Sequence, residues 1–258
     1  MKKNNTKILF LIQARLGSRR LPNKVIRTLY ENRALVELVY ERITLSNYSN
    51  SNNIYVLTSD NKQDDLLVDY LKKKQINFFR GNEENVYLRY YDFLEQNSNI
   101  NDVNYFVRVC CDNPFIEPVF IDNLIDSIED DVDYISYYDT KNHKSAILTH
   151  LGLFVELINV QTFIKSRKLV DTKIYKEHVT PLFYNDNHFN LKYINIPEEL
   201  LNNNYRFTID TEIDFENAKI ILHKLGKNDF NYKDLISVIS DDDEIQKNMI
   251  TQIALNSK

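Results

Sequence analysis

Four basic side chains fall within ten residues near the start of the chain: Arg15, Arg19, Arg20 and Lys24. Gly17 and Ser18 lie among them and favour a turn. A loop that leaves a buried strand presents free backbone N–H groups, and Arg and Lys add charge-assisted hydrogen bonds to phosphate oxygens. The segment 13–24 therefore predicts a phosphate-binding loop, with a solvated basic loop as the simpler alternative. It is not a Walker loop, because Gly-x-x-x-x-Gly-Lys-Ser/Thr is absent.

Two aspartates lie where an apolar run ends, a position typical of ligands. Asp112 follows the apolar run 105–109 and precedes Asn113-Pro114, which breaks regular structure. Asp210 lies between an apolar run and a helical pattern, so it is either a ligand or a helix N-cap. Because Mg²⁺ prefers a few carboxylates together with phosphate oxygens, two carboxylates that meet over one triphosphate would bind it.

Apolar runs rich in β-branched residues alternate with amphipathic stretches along most of the chain. The predicted strands cover 8–12, 54–57, 76–79, 105–109, 134–138, 153–158, 193–196 and 206–209. The predicted helices cover 35–45, about 60–73 with Asp60 as N-cap, 83–95, a stretch from Pro118, a stretch from Val160, and 211–225. This order predicts an α/β fold: a doubly wound, Rossmann-like, mostly parallel mixed sheet with helices on both faces.

The chain has no linker rich in Pro, Gly or Ser. We therefore expect one domain over residues 1–258. Within it we expect a small β/α subdomain at about 140–200, which covers the acceptor site or forms a dimer contact, and a helical tail at 229–258.

The predicted strands also place the polar loops. Ligands of open α/β sheets bind beyond the carboxyl ends of the strands. This rule brings the loops 13–24, 110–115 and 210–214 together, and these are the segments where unusual polar residues concentrate.

The composition excludes several classes of protein. The net charge of −5 disfavours a non-specific nucleic-acid binder, which carries a basic excess. The apolar run 8–12 has only five residues, too short for a signal-peptide core, and no run approaches the ~20 apolar residues of a membrane helix. The two cysteines, Cys110 and Cys111, are adjacent and give no sign of an oxidising compartment. We expect a soluble, cytoplasmic protein that binds neither membranes nor nucleic acid.

The residue order of the segment 13–24 carries more information than its charge. Gln-Ala-Arg-Leu-Gly-Ser-Arg-Arg-Leu-Pro-Asn-Lys resembles the opening motif of the CMP-sugar synthetase superfamily. It is most similar to the pattern of the spore-coat-polysaccharide cytidylyltransferase-like family, Gln-Ala-Arg-x-Gly-Ser-x-Arg-Leu-Pro-Gly-Lys. Asn23 stands where that family has Gly, and Asn tolerates the left-handed backbone conformation better than most residues.

Five further segments resemble motifs of this family, in the same order: 80–90, 108–114, 152–156, 177–181 and 206–214. The resemblance covers roughly residues 7–225. It departs from the family pattern at Asn85, which replaces an acid, and at Cys111, which replaces Gly.

The resemblance, together with the strand-end positions, gives a set of expected site residues. The expected nucleotide-binding residues are Gln13, Ala14, Arg15, Gly17, Ser18, Arg19, Lys24, Thr58, Ser59, Arg80, Arg89 and Arg108. The expected catalytic residues are Arg15, Lys24, Asp112 and Asp210, and the two aspartates are also the expected Mg²⁺ ligands. The expected contacts to the acceptor or to a partner subunit are Glu156, Glu177, His178 and Asp214.

What the resemblance implies is a Mg²⁺-dependent cytidylyltransferase that joins a nucleotide from CTP to a sugar or sugar acid. Pyrophosphate leaves, and the product feeds the synthesis of a surface polysaccharide or other glycan. A homodimer is possible by the same resemblance. Such transfers depend on positioning and on neutralising charge, so Arg15 and Lys24 would hold the β- and γ-phosphates.

Two other functions stay open. A glycosyltransferase of related architecture would use a nucleotide sugar, but it normally carries Asp-x-Asp after a middle strand, where this chain has Asp112-Asn113-Pro114. The acidic run 241–244 contains such spacing, but it lies in the polar tail and is interpreted as a solvated helix start. A non-catalytic nucleotide-binding homologue is the other alternative, because residues 23, 85 and 111 depart from the family pattern.

Overall fold

Eight strands form one mixed sheet in the computed structural model, which describes residues 6–96, 103–201, 204–227 and 229–256. The strands are β1 (Lys7–Gln13), β4 (Ile54–Ser59), β5 (Phe78–Gly81), β6 (Val103–Cys110), β7 (Tyr134–Asp139), β8 (Lys144–Ser145), β9 (Glu156–Asn159) and β10 (Leu191–Asn195). β2 (Thr28–Tyr30) and β3 (Arg33–Ala34) pair separately as an antiparallel ribbon.

The sheet is parallel on one side and mixed on the other. Its order is β10-β7-β9-β6-β1-β4-β5, with β8 paired to β7. β6, β1, β4 and β5 run parallel, whereas β9 lies antiparallel to both β6 and β7. The predicted α/β fold with a mostly parallel mixed sheet is therefore confirmed.

Helices cover both faces of this sheet. They are α1 (Leu35–Thr44), α2 (Asp65–Lys73), α3 (Val86–Gln96), α4 (Pro118–Asp126), α5 (Val160–Lys165), α6 (Lys173–His178), α7 (Pro181–Tyr184), α8 (Glu212–Leu225), α9 (Tyr232–Ser240) and α10 (Asp243–Leu255). One apolar cluster joins the sheet to α1, α2, α4 and α8 to α10, and a second joins it to α3, α5 and α7.

β1 shows why the chain needs helices on both faces. Ile8, Phe10 and Ile12 belong to the first cluster, and Leu9 and Leu11 to the second. Side chains alternate across a strand, so an uninterrupted apolar run buries both faces, as in parallel sheets covered by helices.

Most predicted elements are present, with shifted ends. β5 begins two residues later than predicted, and β9 starts at Glu156. Asp60 is not the N-cap of the next helix: Asn61 caps a short 3₁₀ turn, Lys62–Asp64, that precedes α2.

The predicted strand 206–209 is wrong. These residues form no regular element: Phe207 N–H donates to the carbonyl of His150 and Ile209 N–H donates to the carbonyl of Asp112. Because these acceptors lie on separate segments, no continuous ladder forms. α9 and α10 lie within the predicted tail, and Asp242 in the acidic run caps α10. The subdomain at about 140–200 stays a prediction.

Within the described residues, no helix combines the length and the apolar character that a membrane crossing requires.

Candidate active site

A cleft of about 1060 Å³ opens at the carboxyl ends of β1, β5 and β6. Three stretches that follow these strands line it, within 13–25, 82–85 and 110–112, together with three side chains of α6. This volume lies at the upper end of the ~300–1,000 Å³ usual for small-molecule sites.

Many of the expected site residues line this cleft: Gln13, Ala14, Arg15, Gly17, Ser18, Arg19, Lys24, Asp112 and Glu177. The others do not contribute to its lining: Thr58, Ser59, Arg80, Arg89, Arg108, Glu156, His178, Asp210 and Asp214. Within the second group, Arg108 contacts Gln13 and Asp210 contacts Lys24.

The loop after β1 folds back on its own backbone. The N–H groups of Ser18 and Asn23 both donate to the carbonyl of Leu16, at 2.8 and 3.2 Å. Asn23 has φ 58° and ψ 14°, which is the left-handed conformation. The replacement of the family Gly by Asn therefore keeps the turn, at a residue type that tolerates positive φ.

Asp64 anchors this loop from behind. Its carboxylate accepts a hydrogen bond from Leu16 N–H at 2.7 Å and another from Ser59 N–H at 3.2 Å. The Ser59 hydroxyl donates to the same carboxylate, and Asp64 is only 2% exposed. The sequence did not single out Asp64, because the pattern over residues 60–73 predicts only a helix.

Lys24 brings the two expected metal ligands together. Its Nζ donates to the carbonyl of Ile209 at 2.5 Å, and lies 3.5 Å from Asp112 Oδ2 and 3.6 Å from Asp210 Oδ1. The predicted meeting of the three loops is confirmed by these contacts.

Asp210 is surrounded by cations rather than used as a helix cap. Thr211 caps α8 and forms a capping box with Asp214. Asp210 instead pairs with Arg20 at 2.9 Å and with Arg206 at 3.3 Å. Asp210 itself does not line the cleft. It contacts Lys24 and Arg20, and these two residues do line it.

Asp214 is a structural partner of Arg206. Its carboxylate accepts from Arg206 Nε at 2.7 Å and from the backbone N–H groups of Asp210 and Thr211. The residue is 5% exposed, so its geometry is that of a buried positioning group and not of an acceptor contact.

The backbone fixes Asp112 at the floor of the cleft. Ile209 N–H donates to the carbonyl of Asp112 at 2.8 Å, and Cys111 N–H donates to the carbonyl of Gln13 at 3.1 Å. Cys111 is buried without a positive φ, so a side chain replaces the family Gly without backbone strain. Burial raises the pKa of its thiol, which keeps the group neutral.

The backbone at Gly152, unlike that at Cys111, leaves no room for a side chain. Its φ is +61°, and an added Cβ would lie 2.9 Å from the Thr208 nitrogen and 3.0 Å from Asn113 Oδ1. The segment 206–209 therefore approaches Asp112 only because position 152 carries no side chain.

A buried pair across β6 and β9 holds Gln13. Arg108 and Glu156 are directly opposite in the antiparallel register, and Arg108 NH1 lies 2.5 Å from Glu156 Oε2. Arg108 NH2 donates to Gln13 Oε1 at 3.1 Å, while the Tyr134 hydroxyl donates to Glu156 at 2.5 Å. Glu156 is fully buried, so it acts through Arg108 rather than at the cleft surface.

Arg80 and Arg89 organise the loops beside the cleft. Arg80 donates to the carbonyls of Ser59 and Asn61. Arg89 is fully buried and donates to the carbonyls of Asn82 and Glu83, whose residues line the cleft.

Asn85 caps the start of α3. The Asn85 side chain accepts a hydrogen bond from the backbone N–H of Leu88, in the first turn of α3. Neither Asn85 nor Cys111 disturbs the local structure, although both depart from the family pattern.

α6 adds a wall that the sequence interpretation did not find. Lys173, Lys176 and Glu177 line the cleft, whereas His178 is exposed outside it. Neither lysine side chain forms a hydrogen bond or ion pair with another described residue. Six residues are too few to give a clear helical period, so the sequence carried little signal for this element.

A strained turn ends α6. Val179 has φ 67° and ψ −62°, and Thr180 N–H donates to the carbonyl of His178 at 2.7 Å. This is a γ-turn of the rare, strained form, and here it holds a β-branched residue. Val179 is fully buried in the second apolar cluster, which fixes the end of α6.

The donor set fits a magnesium ion that arrives with phosphate. Asp112 and Asp210 converge on one ammonium group, so a cation at that point would meet two carboxylates. The described part of the chain contains no group of three or more His, Cys, Asp or Glu side chains able to hold a metal. Phosphate oxygens would have to supply further ligands, as Mg²⁺ commonly requires.

Comparisons with known proteins agree with this geometry. A family model described as Cytidylyltransferase matches residues 9–245. The spore coat polysaccharide biosynthesis protein SpsF of Bacillus subtilis is 33% identical over 241 residues, which covers 90% of this chain and 94% of that protein. An uncharacterised protein of Methanocaldococcus jannaschii is 35% identical over 212 residues, 81% of each chain.

Solved structures give the same result. A cytidylyltransferase from Leptospira borgpetersenii superposes with a TM-score of 0.80 at 26% identity, over 94% of this chain and 98% of that one. A CMP:2-keto-3-deoxy-manno-octonic acid synthetase, solved with CTP, shares the fold with a TM-score of 0.62 at 13% identity, over 85% and 99%. With its phosphate-type loop, paired aspartates and near full-length match, this chain belongs to the cytidylyltransferase family and is a nucleotidyltransferase.

Proposed function

We propose that the enzyme transfers a cytidylyl group from CTP to a sugar-type acceptor, with Mg²⁺ as cofactor and pyrophosphate as the leaving group. The observation that carries the proposal is the approach of Lys24 Nζ to both Asp112 and Asp210 beside the loop 13–24. The name of SpsF supports a role in polysaccharide precursor synthesis.

In this proposal the loop 13–24 binds the triphosphate. Arg15 and Arg19 line the cleft, and their guanidinium groups are suited to phosphate oxygens. Gln13, held by Arg108, and the segment 82–85 border the same space and are candidates for contacts to the nucleoside.

The reaction forms one bond and breaks one. An acceptor oxygen bonds to the α-phosphorus, the bond from that phosphorus to the bridging oxygen breaks, and pyrophosphate keeps the electron pair. Lys24 and Arg15 offset the charge of the departing pyrophosphate. Asp112 and Asp210 hold Mg²⁺, which when bound neutralises phosphate charge and polarises the reacting oxygen.

The acceptor binds, in this proposal, against the α6 wall. Lys173 and Lys176 are three residues apart and therefore on one face of the helix, and both line the cleft with Glu177. Glu177 accepts hydrogen bonds from acceptor hydroxyls, while Glu156 and Asp214 act from behind as positioning residues. We also propose that the enzyme forms a homodimer and is located in the cytoplasm.

The test incubates the enzyme with CTP, Mg²⁺ and a metabolite extract of the source cells. Turnover is measured as pyrophosphate release, and the nucleotide product is identified by mass spectrometry. We expect a cytidine nucleotide linked to the acceptor. Asp112→Asn and Asp210→Asn each lower the rate by about a hundredfold or more. Asp241→Asn, in the exposed acidic run, is the matched control and keeps the wild-type rate.

Two outcomes contradict the proposal. Wild-type turnover in both aspartate variants would show that the metal assignment is wrong. Release of a nucleoside diphosphate from a nucleotide sugar, without pyrophosphate from CTP, would identify a glycosyltransferase instead.

A further inference from the structure

We propose that Lys24 is the shared counter-ion of Asp112 and Asp210 in the nucleotide-free enzyme, and that it gives up this place when the triphosphate binds. Metal then enters with the nucleotide rather than before it. The inference rests on the proposed metal role of the two aspartates, and adds a positioning role for Lys24 before any reaction begins.

The distances carry the first step. One ammonium group lies 3.5 Å from Asp112 Oδ2 and 3.6 Å from Asp210 Oδ1. The Lys24 side chain is 11% exposed and the Asp210 side chain 9%. Both carboxylates lie within 3.6 Å of the same ammonium group in a partly buried site, so this shared cation offsets the repulsion between them and holds both in place.

The second step is competition. A metal ion bound by both carboxylates would occupy the region that the ammonium of Lys24 now fills. In the absence of nucleotide, a metal must displace Lys24, which also donates to the carbonyl of Ile209, and must compete at Asp210 with Arg20 at 2.9 Å and Arg206 at 3.3 Å. Free metal therefore binds weakly.

The third step is the exchange of partners. Lys24 and Arg20 line the cleft, and both contact Asp210. A triphosphate in the cleft offers these cations stronger acceptors than they have now. As they turn to the phosphates, the carboxylates become available, so nucleotide and metal each raise the affinity of the enzyme for the other.

The test measures Mn²⁺, as a probe for the magnesium site, in the absence of nucleotide. Free Mn²⁺ is counted by electron paramagnetic resonance. We expect weak binding by the wild type, and binding at least about tenfold tighter by Lys24→Met, which removes the competing charge but keeps the shape of the side chain. Lys24→Gln gives a second variant if Lys24→Met folds poorly.

Lys173→Met is the matched control. Lys173 also lines the cleft but pairs with no carboxylate in the part of the chain that the structure describes, so its loss leaves Mn²⁺ binding unchanged. A second readout is thermal stability: Lys24→Met melts at a lower temperature without metal, because Asp112 loses the cation that it shares with Asp210, and Mn²⁺ raises its melting temperature more than that of the wild type.

The inference is overturned if Mn²⁺ binds Lys24→Met no better than the wild type while Asp112→Asn still weakens that binding. A different result bears on the proposed function: if Asp112→Asn and Asp210→Asn have no effect on Mn²⁺ binding in the Lys24→Met background, the metal does not bind these aspartates. The two failures are thus distinguished by the aspartate variants.

Discussion

The carboxylate of Asp64 accepts a hydrogen bond from the backbone N–H of Leu16 at 2.7 Å, across 48 positions of sequence. The same carboxylate holds the end of β4 through Ser59. The loop 13–24 is thereby tied to the neighbouring strand β4 by one buried side chain. A loop that is fixed before its ligand arrives loses less entropy on binding.

Asp64→Asn should weaken CTP binding. The amide keeps one acceptor oxygen but places an NH₂ group against backbone donors, which leaves buried N–H groups without partners. We expect the dissociation constant for CTP, measured by calorimetry, to rise about tenfold or more. Asp69→Asn, on the exposed side of α2, is the control. Unchanged CTP affinity in Asp64→Asn would contradict the anchoring role.

Glu156→Gln should destabilise the fold more than Tyr134→Phe. The glutamine leaves the buried guanidinium of Arg108 without its counter-charge, which costs about 3 kcal/mol in the free energy of unfolding. Loss of the tyrosine hydroxyl removes one hydrogen bond and costs about 1 kcal/mol. Urea unfolding of both variants checks the order. A stable Glu156→Gln with a selective loss of acceptor binding would instead favour direct contact with the acceptor.

Replacements of Val179 should reverse the usual order of alanine and glycine. Glycine normally lowers stability by ~0.5–1 kcal/mol relative to alanine, but at φ 67° only glycine is free of strain. We expect Val179→Gly to be at least as stable as Val179→Ala. At Val160, which is equally buried in the same cluster at an ordinary φ, alanine should be the more stable replacement. The normal order at both positions would show that the turn holds no strain.

The double variant Lys173→Ala/Lys176→Ala should weaken the binding of the acceptor without changing the binding of CTP. Each lost lysine removes a charge-assisted hydrogen bond to the acceptor, so we expect the rate at limiting acceptor to fall about tenfold or more. The affinity for CTP stays at its wild-type value. Lys168→Ala, an exposed lysine outside the cleft, is the control, and the arginine double variant should restore the rate. Loss of CTP affinity in the alanine variant would place these lysines at the triphosphate instead.

The sequence was sufficient wherever a local rule decides the structure. β1 and β6 are parallel neighbours and align their carboxyl ends, so the meeting of Lys24 and Asp112 follows from the strand rule, whereas Asp210 reaches them from a segment that is not a strand. Asn23 likewise keeps its turn for a reason that lies in one residue type.

Roles set by tertiary contact were not predictable. Asp64 reads as one more acid at a helix start until the fold brings Leu16 to it. Glu156 matched a family motif, but its role depends on lying opposite Arg108 in the antiparallel pair of β6 and β9, a register that no local pattern reveals. The segment 206–209 is apolar enough for a strand, yet its partners are single carbonyls.

The contact between Asp112 and Ile209 also has a consequence for biosynthesis. A ribosome releases the basic loop and the first aspartate well before it makes residues 206–210, which lock the carbonyl of Asp112 and supply the second carboxylate. A nascent chain that stops short of this segment holds Lys24 with half of its counter-charge. Premature termination before residue 206 therefore removes the second carboxylate together with the helices α8 to α10 of the first apolar cluster, so a truncated copy lacks part of the site and part of the core at once.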